Sequence, residues 1–241
     1  MAGKILGLCL SSHDATCEAA VEILFSMIYA EYVLHGRFGG IQTEIFAKLD
    51  ELVSRGAIRT FDYNWQFAMK GSSSATVSDP TSRAYFVAQL RAVFEASPPV
   101  DPTFQTEVGR FMDEIELFID LLITLRTLPE APEWKDERTL AVHRLTGFTQ
   151  RIGRTDLYIR FIHQLVDIAL ESKDHLGAGY ALRLHADVYD WNVSGDLVDE
   201  FAGSGLELPA QTQFERKEAL LYHAMDHFGK CRTMHTLHAH I

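Results

Sequence analysis

Residues 101–125 read DPTFQTEVGRFMDEIELFIDLLITL, and this stretch decides the fold class. Its apolar side chains Phe104, Val108, Phe111, Met112, Ile115, Phe118, Ile119, Leu122 and Leu125 recur at the spacing that lines one face of an α-helix. Asp101 marks the start, because its carboxylate can accept a free backbone N–H, and Pro102 is preset for the first helical position. Pro129 and Pro132 lie just past the end. The carboxylates Asp113, Glu114 and Glu116 alternate with the apolar stripe and read as its solvated side.

The same periodicity predicts helices over Asp14 to Leu34, Ile41 to Arg55, Ser82 to Ala96, Asp136 to Ile152, Thr155 to Ser172, Leu176 to Trp191 and Thr212 to Phe228. Gly56 is a plausible stop for the second of these. Thr212 and Glu215 have capping-box spacing, which places the start of the last helix. Gly71 to Ser78, Ser97 to Asp101 and Ser194 to Pro209 read as loops, and Phe61 to Met69 fits neither helical nor strand period. No sheet is expected. Consecutive helices with short connections predict an all-α fold of stacked antiparallel helices, either an armadillo- or TPR-like solenoid or an irregular helical bundle. No strict repeat period separates the two.

With 241 residues, 47% of them hydrophobic, the chain can bury a sizeable core, so disorder over most of its length is not expected. The formal net charge of −11 is spread along the sequence and argues against a nucleic-acid partner. The longest apolar stretch, Ala19 to Leu34, carries Glu22 and Glu31 and reads as a buried helix, not a membrane span. Met1 to Leu10 lacks a cleavage site, so no signal peptide is assigned. Cys9, Cys17 and Cys231 form no CxxC pattern, and reduced thiols in a cytoplasmic protein are the simplest expectation.

Few residues offer chemistry. His223 and His227 are one helical turn apart with Asp226 beside them, the spacing with which two imidazoles reach one metal, but position 224 is Ala where an HExxH site needs its Glu. No metal site is therefore assigned. His235, His238 and His240 crowd a brief tail without defined geometry. His185, set among Leu182, Leu184, Ala186 and Val188, reads as a hydrogen-bonded core or interface residue. No GxSxG elbow, Walker loop or GxGxxG fingerprint occurs, so no nucleotide or other cofactor and no catalytic residue is expected.

Three segments carry a family resemblance. RTDLYIRFIHQLVDIALESKDHLGAGYALRLHADVYDW, from Arg154 to Trp191, has an acid leading into Tyr158, Ile159, Arg160 and Phe161, then an Ala- and Tyr-rich helix with Gly179, Tyr180, Leu182, Leu184, His185 and Ala186 that ends at Trp191. QTQFERKEALLYHAMDHFGK supplies Gln211, Thr212, Arg216, Lys217, Glu218, Phe228 and Lys230. These two resemble the opening of the DOCKER domain of the dedicator-of-cytokinesis (DOCK) family, and AVEILFSMIYAEYVLHGRFGGIQTEIFAKLD is similar to the helical stretch that precedes that domain.

The resemblance implies a piece of a guanine-nucleotide exchange factor for Rho-family GTPases of the Rac and Cdc42 type. In that family the first DOCKER lobe is helical and serves dimerisation, while the second and third lobes hold the GTPase and expel its magnesium. The expected division is a helical-repeat region over 1–128, part of the first lobe over 134–230 and a non-family tail over 231–241. Scaffolding and self-association are the implied roles, with a Rho-family GTPase engaged through the parent protein and Phe214, Lys217 and Leu221 on the partner-binding helix. After Gly229-Lys230 the family continues with a Trp-Glu motif, whereas this chain reads CRTMHTLHAHI, which suggests a frame change or an unspliced intron, with a designed tag or a natural short isoform as the alternatives. A TPR-like peptide-binding adaptor is the rival reading, and a metal-dependent enzyme using His223 and His227 ranks third.

Overall fold

The computed structural model describes residues 1–9, 14–54, 91–92, 101–191, 195 and 197–238. The expected helix over Ser82 to Ala96 lies outside these apart from residues 91–92, as do Gly56, the segment Phe61 to Met69 and the loop Gly71 to Ser78. The chain divides into two units, Met1–Thr127 and Leu128–Ile241. The described residues form eight α-helices with four very short strands, an all-α fold of stacked helices.

The first unit contains α1 (Ala2–Cys9), α2 (Asp14–His35), α3 (Gly39–Ser54) and α4 (Pro102–Thr127). Asp101 starts α4 as its type requires: its Oδ1 accepts from the Thr103 N–H at 3.0 Å, and its Oδ2 accepts from the Tyr32 hydroxyl at 2.9 Å. That second bond ties α2 to the start of α4. Glu31 near the end of α2 caps α3, its two oxygens accepting from the Gly40 and Ile41 N–H groups at 2.9 and 3.0 Å. Two neighbouring orphan donors are thus satisfied by one carboxylate, which also fixes the turn between the helices.

Aromatic rings hold α3 and α4 together. Phe104, Phe111 and Phe118 recur every seventh residue along one face of α4, and all are buried. Phe46 of α3 meets Phe111 and Phe118 edge to face, with centroids at 5.7 and 5.3 Å, and Phe38 meets Phe111 at 5.6 Å. Such geometry adds roughly 0.5–1.5 kcal/mol per pair beyond the area buried. The segment at the start of the chain, not expected to be helical, forms α1 and buries Ala2, Leu6 and Cys9 against α2 and α3.

The second unit opens with a 3-10 turn at Pro132–Trp134 and continues with α5 (Lys135–Arg151), α6 (Thr155–Glu171), α7 (His175–Ala186) and, after a β segment, α8 (Gln213–His238). Each helix packs on the next. Two connections use one device. Gly153 (φ 70) and Lys173 (φ 57) take the left-handed conformation, and the N–H groups of Arg154 and Asp174 reach back to the carbonyls of Thr149 and Ala169 at 2.9 and 2.8 Å. These are Schellman turns, which satisfy the last helix carbonyls and reverse the chain within three residues.

Two expectations change here. Residues 194–209 are not a plain loop: β1 (Leu197–Val198) pairs with β4 (Gln211–Thr212), and β2 (Phe201–Gly203) pairs with β3 (Leu206–Leu208), both antiparallel. Ser204 and Gly205, both at positive φ, make the two-residue turn whose twist matches paired strands. The second change concerns α7. Leu157, Phe161, Leu165 and Ile168 of α6 are buried as expected, but Tyr180 and Leu184 are exposed, and Val188 is half-buried. The packed face of α7 is Ala178, Gly179, Ala181, Leu182, His185 and Ala186. Small residues let the helices approach closely, so α7 is rotated from the position its largest side chains suggest.

Candidate interaction surface

Helix α8 begins with the expected capping box: the Thr212 N–H donates to Glu215 Oε2 at 2.9 Å and the Glu215 N–H to Thr212 Oγ1 at 3.3 Å. The bonds that Thr212 donates also hold the Glu215 carboxyl below its ordinary range. From this start Phe214, Lys217, Leu221, Ala224 and Phe228 fall on one stripe, and α7 and α8 pack along each other. Phe228 lies against the Gly179 backbone, where an added Cβ would sit 2.6 Å from its Cε1, and its ring meets Tyr180 at 5.3 Å.

At the other end of the stripe is an aromatic cluster. Trp191 is 56% exposed and meets Phe214 edge to face at 5.3 Å, while the Lys217 ammonium sits 5.4 Å from the centre of the indole. Lys217 also donates to the Tyr189 carbonyl at 2.7 Å, which fixes the cation over the ring. Phe214, Lys217 and Leu221, the residues expected to bind a partner, are all half-buried. The more exposed apolar groups are their neighbours: Tyr180, Leu176 and Leu184 along one face of α7, and Tyr222 and Met225 one turn apart on α8. Sequence reasoning passed over Tyr222 and Met225, although their spacing places them on one exposed helix face.

Beneath the β segment lies a buried polar network. Arg216 is 1% exposed and donates to the carbonyls of Asp199 and Pro209 at 2.7 and 3.0 Å. Those carbonyls flank the break between the two strand pairs, so a side chain supplies bonds where the ladder stops. His163 Nε2 and His185 Nδ1 are 2.9 Å apart, and His185 Nε2 is 3.3 Å from the Tyr189 hydroxyl. Phe201 covers both imidazoles, with centroids at 4.4 and 5.2 Å. Burial pushes both histidines well below their ordinary value, so they are neutral near pH 7. His185 is thus a buried, hydrogen-bonded residue of the helix interface.

A cleft of about 580 Å³ opens beside this network, lined by Asp156, Arg160, His163 and Asp167 of α6 and by Glu200 to Ser204. Asp156 is engaged by Arg154, whose Nε and Nη2 donate to its two oxygens at 3.0 and 2.7 Å. Burial alone would raise the Asp156 carboxyl, but the guanidinium beside it leaves it below its ordinary range. The walls carry both signs of charge without a nucleophile poised beside a base. His223 is exposed and His227 half-buried, and no group of three metal-ligating side chains occurs among the described residues. Cys9 and Cys231 are not disulfide-bonded. Among the described residues no helix is long and apolar enough to cross a membrane.

No family model matches the chain. It is 24% identical over 236 residues to dedicator of cytokinesis protein 3 of Homo sapiens, an alignment covering 95% of this chain and 10% of the relative. Dedicator of cytokinesis protein 4 of Homo sapiens is 24% identical over 232 residues, again 95% of this chain and 10% of the relative. DOCK-like protein 1 of Saccharomyces cerevisiae is 26% identical over 196 residues, covering 80% of this chain and 9% of the relative. The chain therefore spans about a tenth of the length of the curated relatives it matches. The chain is thus similar, weakly per residue but nearly continuously, to dedicator-of-cytokinesis proteins.

Proposed function

We propose that this chain is a scaffold segment of a guanine-nucleotide exchange factor for Rho-family GTPases of the Rac and Cdc42 type, and that its second unit is a self-association surface within the first DOCKER lobe. The alignment to dedicator-of-cytokinesis proteins across 95% of the chain carries this reading. The first unit corresponds to the helices that precede that domain. Exposed Trp191, Tyr180, Tyr222 and Met225 support the second part, because aromatic side chains and Met concentrate where protein surfaces meet. Phe214, Lys217 and Leu221 back the patch from the α7–α8 seam. The parent protein engages the GTPase in the cytoplasm, and the exchange step belongs to its other lobes.

The test has two arms on the 241-residue chain. Sedimentation across a wide concentration range is expected to show a reversible self-associating species, weakened by Tyr222→Glu combined with Met225→Glu. Both positions are exposed, so these changes leave the fold intact. Release of a fluorescent guanine nucleotide from purified Rac and Cdc42 is expected to be unchanged by a large excess of the chain. A helical scaffold that makes no contact with the nucleotide pocket cannot favour the nucleotide-free state. A strict monomer at every concentration removes the self-association role, and clear acceleration of release removes the assignment of exchange to other lobes.

A further inference from the structure

His227 has a partner that its neighbours in sequence do not suggest. Its Nδ1 lies 3.2 Å from the Nδ1 of His175, with the ring centroids 5.4 Å apart and the planes inclined by 29°. His175 is the first residue of α7, and His227 stands well along α8, so the pair bridges two helices. His223, one turn before His227, is exposed to solvent.

We propose that His175 and His227 form a two-imidazole site for a divalent transition-metal ion of the zinc class, with water completing the coordination. Two nitrogens each about 2.0–2.1 Å from a tetrahedral zinc are separated by roughly 3.4 Å, close to the spacing already present between these two. Both residues are half-buried, which leaves a path for the ion and room for water ligands. Without metal, the pair shares one proton in an N–H···N bond. Binding requires both Nδ1 lone pairs, so the protonated ring changes tautomer and carries its proton on Nε2, with no net proton release.

The surroundings of His227 favour a neutral ring and tolerate a cation. Burial lowers the His227 value first, and Lys230 and His175 lower it further, so the imidazole is in its ligating form near neutral pH. Asp226 precedes His227, and Asp174 precedes His175, placing a carboxylate next to each ligand in the chain. Lys230 pairs with Asp226 at 2.6 Å, and Lys135 lies 3.6 Å from Asp174, so neither acid competes as a bare charge. A metal here would pin the start of α7 to α8, across the helix pair that carries the exposed aromatic surface.

The experiment uses the untagged 241-residue chain carrying His235→Gln, His238→Gln and His240→Gln, because that tail could bind metal itself. Zinc chloride is titrated by calorimetry and its effect on thermal unfolding is measured in parallel. One equivalent is expected to bind and raise the melting temperature. Both effects are lost in His175→Gln and in His227→Gln, and both are kept in His223→Gln. Histidine-selective NMR of the unsubstituted chain should show zinc moving the His175 and His227 ring signals together, a readout that does not depend on any variant folding. Absence of zinc binding in the tail-substituted chain overturns the proposal. So does binding that survives His175→Gln, or zinc shifts confined to other histidines.

Discussion

Arg216 donates to the carbonyl of Asp199 at 2.7 Å from a position almost wholly closed to solvent. The same nitrogen, Nη2, also donates to the Pro209 carbonyl at 3.0 Å, so one terminal N–H₂ closes the gap between the two strand pairs. Replacing Arg216 with Met keeps most of the stem but leaves both carbonyls without a donor. Hydrogen bonds to a charged group contribute roughly 1.5–3 kcal/mol each, and relief from burying the guanidinium offsets part of that. The expected net loss is about 2–3 kcal/mol in urea unfolding, with faster amide exchange across residues 197–212. Lys at this position keeps the charge on a shorter stem and should fall between. An unchanged midpoint for Arg216→Met would mean that the β segment holds without its side-chain donor.

The Gly179 and Phe228 contact allows a test by sign. Alanine in a helix is favoured over glycine by about 1 kcal/mol, so Gly179→Ala should stabilise if nothing stood in the way. Phe228 does stand there, held by Tyr180, and a Cβ would lie 2.6 Å from its ring. Overpacking of this kind costs about 1–3 kcal/mol, more than the helical preference returns. Gly179→Ala is expected to destabilise the chain in thermal unfolding. In a Phe228→Ala background the same change should become stabilising, because the ring is gone and the helical preference of alanine acts alone. Equal effects in the two backgrounds would place the ring elsewhere.

Local chemistry is legible in the sequence where it acts over a few residues. Asp101-Pro102 announces the start of α4, and Thr212 with Glu215 announces α8, because each cap is a bond between near neighbours in sequence. The packed face of α7 is hidden because its side chains are mostly Ala and Gly, which carry little hydrophobic signal, whereas Tyr180 and Leu184 carry much and stay outside. The strand pairs are two or three residues long, too short for an alternation to register, and only Ser204-Gly205 hints at the turn. His175 and His227 are 52 residues apart, and their meeting follows from how α7 and α8 pack, which no local spacing encodes.

The buried pair His163 and His185 sets a pH dependence whose direction follows from where each state binds protons. In the folded chain burial pushes His163 down to about 4 and His185 to about 3. In the unfolded chain both rings return to the ordinary value of about 6.5. As pH falls below that value the unfolded chain takes up protons that the folded chain refuses, so their contribution is complete above about pH 6.5 and is lost toward the folded values. Each such proton changes stability by about 1.4 kcal/mol per pH unit. Between about pH 6.5 and 5, before carboxylates titrate heavily, unfolding free energy from urea curves should fall with decreasing pH. His163→Gln should remove part of that slope and the double change with His185→Gln most of it, whatever either change does to stability at neutral pH. Other histidines contribute equally to all three proteins and cancel in the comparison. A slope identical in the unsubstituted and doubly substituted chains would mean that the two rings are not held neutral by the α6–α7 interface.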